Sequence, residues 1–163
     1  MNLFQRIFKR SDEVSMLGQG LAPTMLVNQF SRVDDLQDIT RTGLSYVFFY
    51  PRAETPVCTA QACELRDVMG ELQGAGVQVV GVSPDSPERL AAFAQRHGFD
   101  YKLLSDPKGE AMAQFGVKRS FGLLTQRRSF LVEDGEIVWE AKSRVPSHQV
   151  KELFSVLAER GMC

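Results

Sequence analysis

The run Leu44–Tyr50, LSYVFFY, constrains this chain more than any other stretch. It is short, and Gly43 and Pro51 bound it on both sides. Apolar, aromatic and β-branched residues at nearly every position describe a strand covered on both faces. Such strands lie in the middle of sheets flanked by helices.

The rest of the chain supplies the flanking pieces. After a turn-rich stretch with two prolines, Pro51–Val57, the residues Ala62, Leu65, Met69 and Leu72 recur at helical spacing until Gly74 and Gly76 stop them. Val77–Val82 reads as a second apolar strand. Ser86-Pro87-Glu88 opens a helix with Ser as cap and Pro in the first turn; Leu90, Phe93 and Ala94 form its inner face, and His97-Gly98 ends it. Tyr101–Leu104 is a brief strand, and Asp106–Phe115 a short helix with Met112 and Phe115 inward. Asp134-Gly135, between Ser129–Glu133 and Glu136–Ala141, signals a hairpin. Ser147 is expected to cap a last helix carrying Val150, Leu153, Phe154 and Leu157.

Strands alternating with helices give parallel units, and the late hairpin adds antiparallel strands. The fold class is α/β, a mixed central sheet with helices on both faces. A thioredoxin-like arrangement fits this order, though order alone does not select it. The chain's 163 residues suit one domain. Residues 1–20 read as an N-terminal extension and 21–163 as the domain. Leu3, Phe4, Ile7 and Phe8 within the extension suggest a short amphipathic helix. Gln5 and Arg6 interrupt it, so it lacks the apolar core of a secretory signal, and the expected location is cytoplasmic.

Balanced charge, 19 basic against 20 acidic residues, disfavours nucleic-acid binding, and no apolar run is long enough for integral membrane contact. His97, His148 and the three cysteines show no zinc-ligand spacing, and there is no glycine-rich phosphate loop, so neither metal nor cofactor is expected.

Cys58 falls where the turn after the first apolar strand becomes a helix. In α/β proteins ligands gather at the carboxyl ends of strands. A helix start also offers unpaired N–H groups and partial positive charge, which favour a thiolate, the nucleophilic form of cysteine. A buried, inert thiol is the plainer alternative. Cys63 lies five residues on. In a regular helix that places the two Cα atoms roughly 8.6 Å apart, and a disulfide needs about 4.4–6.8 Å. The pair either never bonds or bonds only after local unwinding. The spacing also differs from the C-x-x-C of thioredoxin-type oxidoreductases.

Tyr50–Asp67, YPRAETPVCTAQACELRD, resembles the active-site segment of the peroxiredoxins (AhpC/TSA-like thiol peroxidases), in particular the bacterioferritin-comigratory or peroxiredoxin Q subfamily. Pro51, Thr55, Cys58 and Thr59 match its pattern in register, and Cys63 and Arg66-Asp67 match the subfamily's continuation. VGVSPD at Val80–Asp85, LSD at Leu104–Asp106 and the stretch Arg127–Val132 recur in family order. The resemblance covers residues 21–158 or so. Gly20-Leu21-Ala22-Pro23 keeps the usual opening only in part, Gln61 stands where the wider family often has Glu, and Cys163 has no counterpart.

The resemblance implies a peroxidase that reduces hydrogen peroxide and organic hydroperoxides. Cys58 would attack and become a sulfenic acid, and Cys63 would resolve it as an intramolecular disulfide. Thioredoxin or a glutaredoxin-like protein would then reduce that disulfide. Arg127 takes the family's active-site arginine position, and Arg128 falls on a variable one, where loss should be nearly silent. Thr55 would accept from the peroxide and bond the thiolate. Val57 and Cys58 would offer backbone N–H groups, while Pro51 and Pro56 shape the loop. Monomer and homodimer both remain open. A peroxide sensor and a general disulfide oxidoreductase are the competing readings.

Overall fold

The computed structural model describes residues 15–120 and 124–162. The amphipathic stretch of Leu3, Phe4, Ile7 and Phe8, and Cys163, lie outside the described residues. The elements in order are β1 (Met25–Asn28), β2 (Val33–Asp35), α1 (Leu36–Thr40), β3 (Leu44–Phe49), α2 (Pro56–Asp67), α3 (Met69–Gly74), β4 (Val77–Ser83) and α4 (Pro87–His97). There follow β5 (Lys102–Ser105), α5 (Glu110–Gln114), β6 (Arg119–Ser120), β7 (Leu124–Thr125), β8 (Arg128–Glu133), β9 (Glu136–Glu140) and α6 (Pro146–Glu159).

Among the described residues seven strands form one sheet in the order β2-β1-β5-β4-β3-β8-β9. β4 runs parallel to both β3 and β5, and the other pairs are antiparallel. All of β3 is buried, as its composition predicts. Because side chains alternate across a strand, Leu44, Tyr46 and Phe48 join a core with Leu65, Leu72, Phe93 and Leu153 from α2, α3, α4 and α6. Val47 and Phe49 join another with Leu36 of α1 and Met112 of α5. This is the expected thioredoxin-like α/β architecture, with helices on both faces. Gly81 in β4 is required by contact: a Cβ there would meet Leu103 and Phe48 side chains at 2.8 Å.

Local signals place several boundaries well. Ser86 Oγ accepts from the Arg89 N–H (3.3 Å), and Gly98 closes α4 in the left-handed conformation. Asp134 and Gly135 both have positive φ, which gives the tight turn between β8 and β9. Three expectations need correction. The last helix begins at Pro146 with Val145 as cap residue, so Ser147 already lies inside it. The short helix before Phe115 spans only Glu110–Gln114; Asp106, expected inside it, instead accepts from the N–H groups of Glu110 (2.8 Å) and Met112 (3.0 Å). The helix after Cys58 is interrupted at Val68, which separates α2 from α3. In addition β1, β2, α1 and the β6–β7 pair precede or interrupt the expected order.

Residues just before β1 lie along β9. The Gly18 N–H donates to Ile137 O (2.8 Å) and the Leu21 N–H to Gly135 O (2.9 Å).

Candidate active site

The site lies where β3 ends. The Tyr50 N–H still donates to Val82 O (3.2 Å), and then the chain leaves the sheet. Asp85, beyond the end of β4, holds the departing loop by accepting from the Ala53 N–H (2.7 Å). The Glu54 carboxylate lies 3.3 Å from His97 Nε2 and 3.4 Å from Arg96. Pro56 opens α2, a position where its missing N–H costs nothing. The Thr59 N–H is the first to reach back, to Thr55 O at 2.9 Å. The N–H groups of Val57 and Cys58, in the first turn, have no carbonyl one turn earlier.

Cys58 is 1% exposed, yet Arg127 reaches it: Nη2 donates to Sγ at 3.2 Å. Strand register explains how. Phe49 pairs with Arg128 across the antiparallel β3–β8 ladder, so Arg127 stands level with the point where the chain leaves toward Cys58. Neighbouring residues on a strand face opposite ways. Arg127 therefore shares the face of Cys58, α2 and α6, while Arg128 points into the opposite layer.

Arg128, which the resemblance puts on a variable position, is a buried residue. It is 5% exposed, pairs with Glu140 at 3.3 Å and lies over the Phe130 ring at 5.2 Å. Its loss will disturb packing, which separates its cost to stability from any effect on the peroxide step.

Thr55 is half-buried, and its hydroxyl donates to Arg52 O at 2.7 Å. That uses its only proton, so Thr55 can accept from a ligand but does not donate to the Cys58 sulfur. Pro51 is half-buried at the loop's start, while Pro56 and Val57 are exposed at the mouth. Burial above all keeps the hydroxyl of Tyr50, which lies in the same core as Cys58, protonated and uncharged. Cys63 is half-buried and packs against the core from inside intact α2. Both cysteines are free thiols.

Sequence reasoning passed over a set of buried amides. Arg127 Nη1 donates to Gln61 Oε1, and Gln61 Nε2 donates to Gln149 Oε1 at 2.9 Å. Ser129 Oγ also donates to Gln149 Oε1 (2.7 Å). Gln61, Ser129 and Gln149 are all fully buried. One signal was available: Gln61 and Gln149 each precede a core leucine, Leu65 and Leu153, by four residues. A polar residue on an apolar helical stripe needs a partner.

Among the described residues no helix is long and apolar enough to cross a membrane.

The molecule has clear relatives. It is 49% identical over 98 residues to Peroxiredoxin Bcp of Escherichia coli K12, a match covering 56% of this chain and 63% of that protein. The first relatives it matches, two from Mycobacterium tuberculosis, are likewise spanned over 63% of their length. Among solved structures, peroxidoxin BcpB from Mycobacterium tuberculosis superimposes with a TM-score of 0.79 at 33% identity, covering 88% of this chain and 97% of that one. Xanthomonas campestris peroxiredoxin Q gives 0.75 at 25% identity, covering 89% and 97%. Residues 22–140 match the AhpC/TSA family model, and since that stretch runs from before β1 to the end of β9, the chain belongs to the AhpC/TSA family.

Proposed function

We propose that the protein is a thiol peroxidase acting on hydrogen peroxide and organic hydroperoxides. The observation that carries this reading is the Arg127 guanidinium held 3.2 Å from the buried Cys58 sulfur at the start of a helix. The thiolate attacks one peroxide oxygen, the O–O bond breaks, and the other oxygen takes a proton and leaves as water or alcohol. Cys58 is left as a sulfenic acid. Arg127 faces both the sulfur and the space where charge develops on the leaving oxygen. The first-turn N–H groups of Val57 and Cys58 add donors there, and Thr55 Oγ1 can accept a hydrogen bond from the peroxide O–H. Pro56, Val57, Ala60 and Pro146 line a largely apolar groove beside the mouth, with room for an alkyl substituent.

The Cys63 thiol then attacks the sulfenic sulfur, forming a disulfide and releasing water. Five residues of intact helix keep the two apart, so α2 must unwind between them. Unwinding has to break the Tyr101 hydroxyl bond to Ala62 O (2.7 Å) and withdraw Gln61 from its buried site. It can leave Leu65 docked and Arg66 bonded to His97 O (2.7 Å). The opened segment presents the disulfide to a dithiol reductant, with thioredoxin as the expected partner.

The test is stopped-flow reaction of the reduced protein with hydrogen peroxide and with cumene hydroperoxide, with thioredoxin and its reductase coupled in. Sustained consumption supports the enzyme, whereas one equivalent followed by arrest identifies a sensor. Cys58→Ser removes the ionisable sulfur and should abolish the reaction. Turnover above trace rates in that variant would sink the assignment of the attacking atom.

A further inference from the structure

The buried amides form a chain with a direction. At one end stands Arg127, whose guanidinium only donates. At the other stands the backbone carbonyl of Ser143, which only accepts; Gln149 Nε2 donates to it at 2.9 Å. Two side-chain amides lie between, and each can in principle face either way. The Ser143 carbonyl requires the NH2 of Gln149, so Gln149 Oε1 must point inward. There it accepts from both Gln61 Nε2 and Ser129 Oγ. Gln61 then has only its oxygen left to offer Arg127 Nη1. A single orientation of both amides satisfies every partner, and it sets the other terminal guanidinium nitrogen, Nη2, against Cys58 Sγ.

We propose that Gln149, on α6, is a positioning residue for the reaction: acting through Gln61, it fixes the Arg127 guanidinium against the Cys58 sulfur. This inference rests on the reading of Cys58 as the attacking atom. Gln149 touches neither sulfur nor peroxide. Among the described residues, its part is to supply the acceptor for the Gln61 NH2 at a fully buried position. Without that acceptor the Gln61 amide must turn or leave to satisfy its own donors, and Arg127 Nη1 loses its anchor. The same link ties α6 to the unwinding of α2, because withdrawing Gln61 releases Arg127 and Gln149 together.

The test compares Gln149→Leu, which fills the space without an acceptor, with Gln149→His, which keeps one donor and one acceptor. In the histidine variant the Ser143 carbonyl selects the tautomer whose lone pair faces Gln61 and Ser129. The readout is alkylation of Cys58 by iodoacetamide across pH, followed by mass spectrometry of the Cys58 peptide, beside the rate of reaction with hydrogen peroxide. Gln149→Leu should slow alkylation near neutral pH on the order of tenfold and displace its pH profile upward, in the range for losing a partner that orients a functional group. Gln149→His should recover most of the wild-type profile. An undisplaced profile in Gln149→Leu, or equal displacement in both variants, overturns the relay. The wild-type protein gives a measurement that needs no variant: the side-chain amide protons of Gln61 should exchange slowly in the reduced state. Exchange as fast as that of an exposed glutamine overturns the proposal even where Gln149→Leu fails to fold. Alkylation needs no peroxide, so a protein that shows the displacement yet leaves peroxide untouched keeps the relay and loses the peroxidase reading.

Discussion

Between Cys58 and Ala62, helix α2 buries only the small side chains of Cys58 and Ala62 in the apolar core and is held mainly by directional polar contacts: Arg127 to the Cys58 sulfur, Gln61 between Arg127 and Gln149, and the Tyr101 hydroxyl on Ala62 O. From Leu65 into α3 it is held by apolar burial, with Leu65 and Leu72 wholly enclosed. The two modes fail differently. A hydrogen bond nets about 1 kcal/mol and is lost over a fraction of an ångström. A buried leucine contributes about 1.5–3 kcal/mol and holds its place while neighbours shift. A helix built this way can open at its start and stay docked at its end, which is what a Cys58–Cys63 disulfide demands.

The widest expected effect tests that division directly. In the oxidised protein, backbone amides of residues 59–64 should exchange at least ~10³-fold faster than in the reduced protein, while those beyond Arg66 stay protected. Loss of protection through Leu72 would show that the apolar half does not act as an anchor. Mass spectrometry of the same sample should find Cys58 joined to Cys63. A link from Cys58 to Cys163, or between chains, would return Cys63 to being a core thiol.

Arg127 and Arg128 sharpen the comparison by separating chemistry from packing. Arg127→Ala should slow the peroxide step on the order of 10²-fold, as for removing an oxyanion donor. It should also cost about 1 kcal/mol of stability, because the buried Gln61 Oε1 loses its donor. Arg128→Ala should cost about 1–3 kcal/mol of stability through the Glu140 pair and the Phe130 stack. Its effect on the first reaction should be small. Equal kinetic losses in both would mean that the β3–β8 register does not sort the two arginines by face.

Those arginines also show how far sequence reached. β3, the cap of α4 and the β8–β9 turn were legible because each depends on residues within a few positions. The segment around Cys58 was legible because its motif is long and local. The burial of Arg128 was not, since it depends on Glu140 across a hairpin and on Phe130 two residues along the strand. β1 and β2 were missed because strands of four and three residues are too short for an alternation to be read, whether at the edge, as β2 is, or just inside it, as β1 is. The start of α6 was misplaced because Ser147 is a good cap by type, whereas Pro146 already fills the first turn. Gln149 was legible only as an intruder on an apolar stripe; the two partners of its oxygen lie 20 and 88 residues away in sequence.

A smaller effect is expected at the boundary between the two modes. Burial above all raises the Tyr101 hydroxyl, so it remains a proton donor at any working pH. Tyr101→Phe deletes its bond to Ala62 O and leaves the ring packing on Phe99 and Phe48 in place. Unwinding should become easier by about 1 kcal/mol, so the disulfide should form roughly fivefold faster after the sulfenic acid. The preceding reaction with peroxide should be unchanged. Quench-flow with mass detection of the two species separates these steps, and slower disulfide formation would contradict the barrier assigned to this contact.

The smallest effect comes from a polar contact outside α2, on the edge strand. Asp34 of β2 accepts from Lys102 Nζ (2.8 Å) and Asn28 Nδ2 (2.6 Å). Burial alone would raise its carboxyl, but those two hydrogen bonds and the charges of Lys102 and Arg32 outweigh it and hold the group below its ordinary 3.8. A carboxyl lowered on folding contributes stability above its unfolded value and loses it as pH falls through the folded one. Asp34→Ala should therefore cost up to about 1 kcal/mol at neutral pH, the range for a partly exposed pair. The difference from wild type should close in acid, below 3.8. Lys102 adjoins Tyr101 in sequence, which makes this variant a stringent control. If only contacts made by α2 itself govern its opening, Asp34→Ala leaves the rate of Cys58–Cys63 bonding where it was. A rate that moves with the denaturation midpoint would mean that opening follows the stability of the whole sheet, and the contrast between the two ends of α2 would fail.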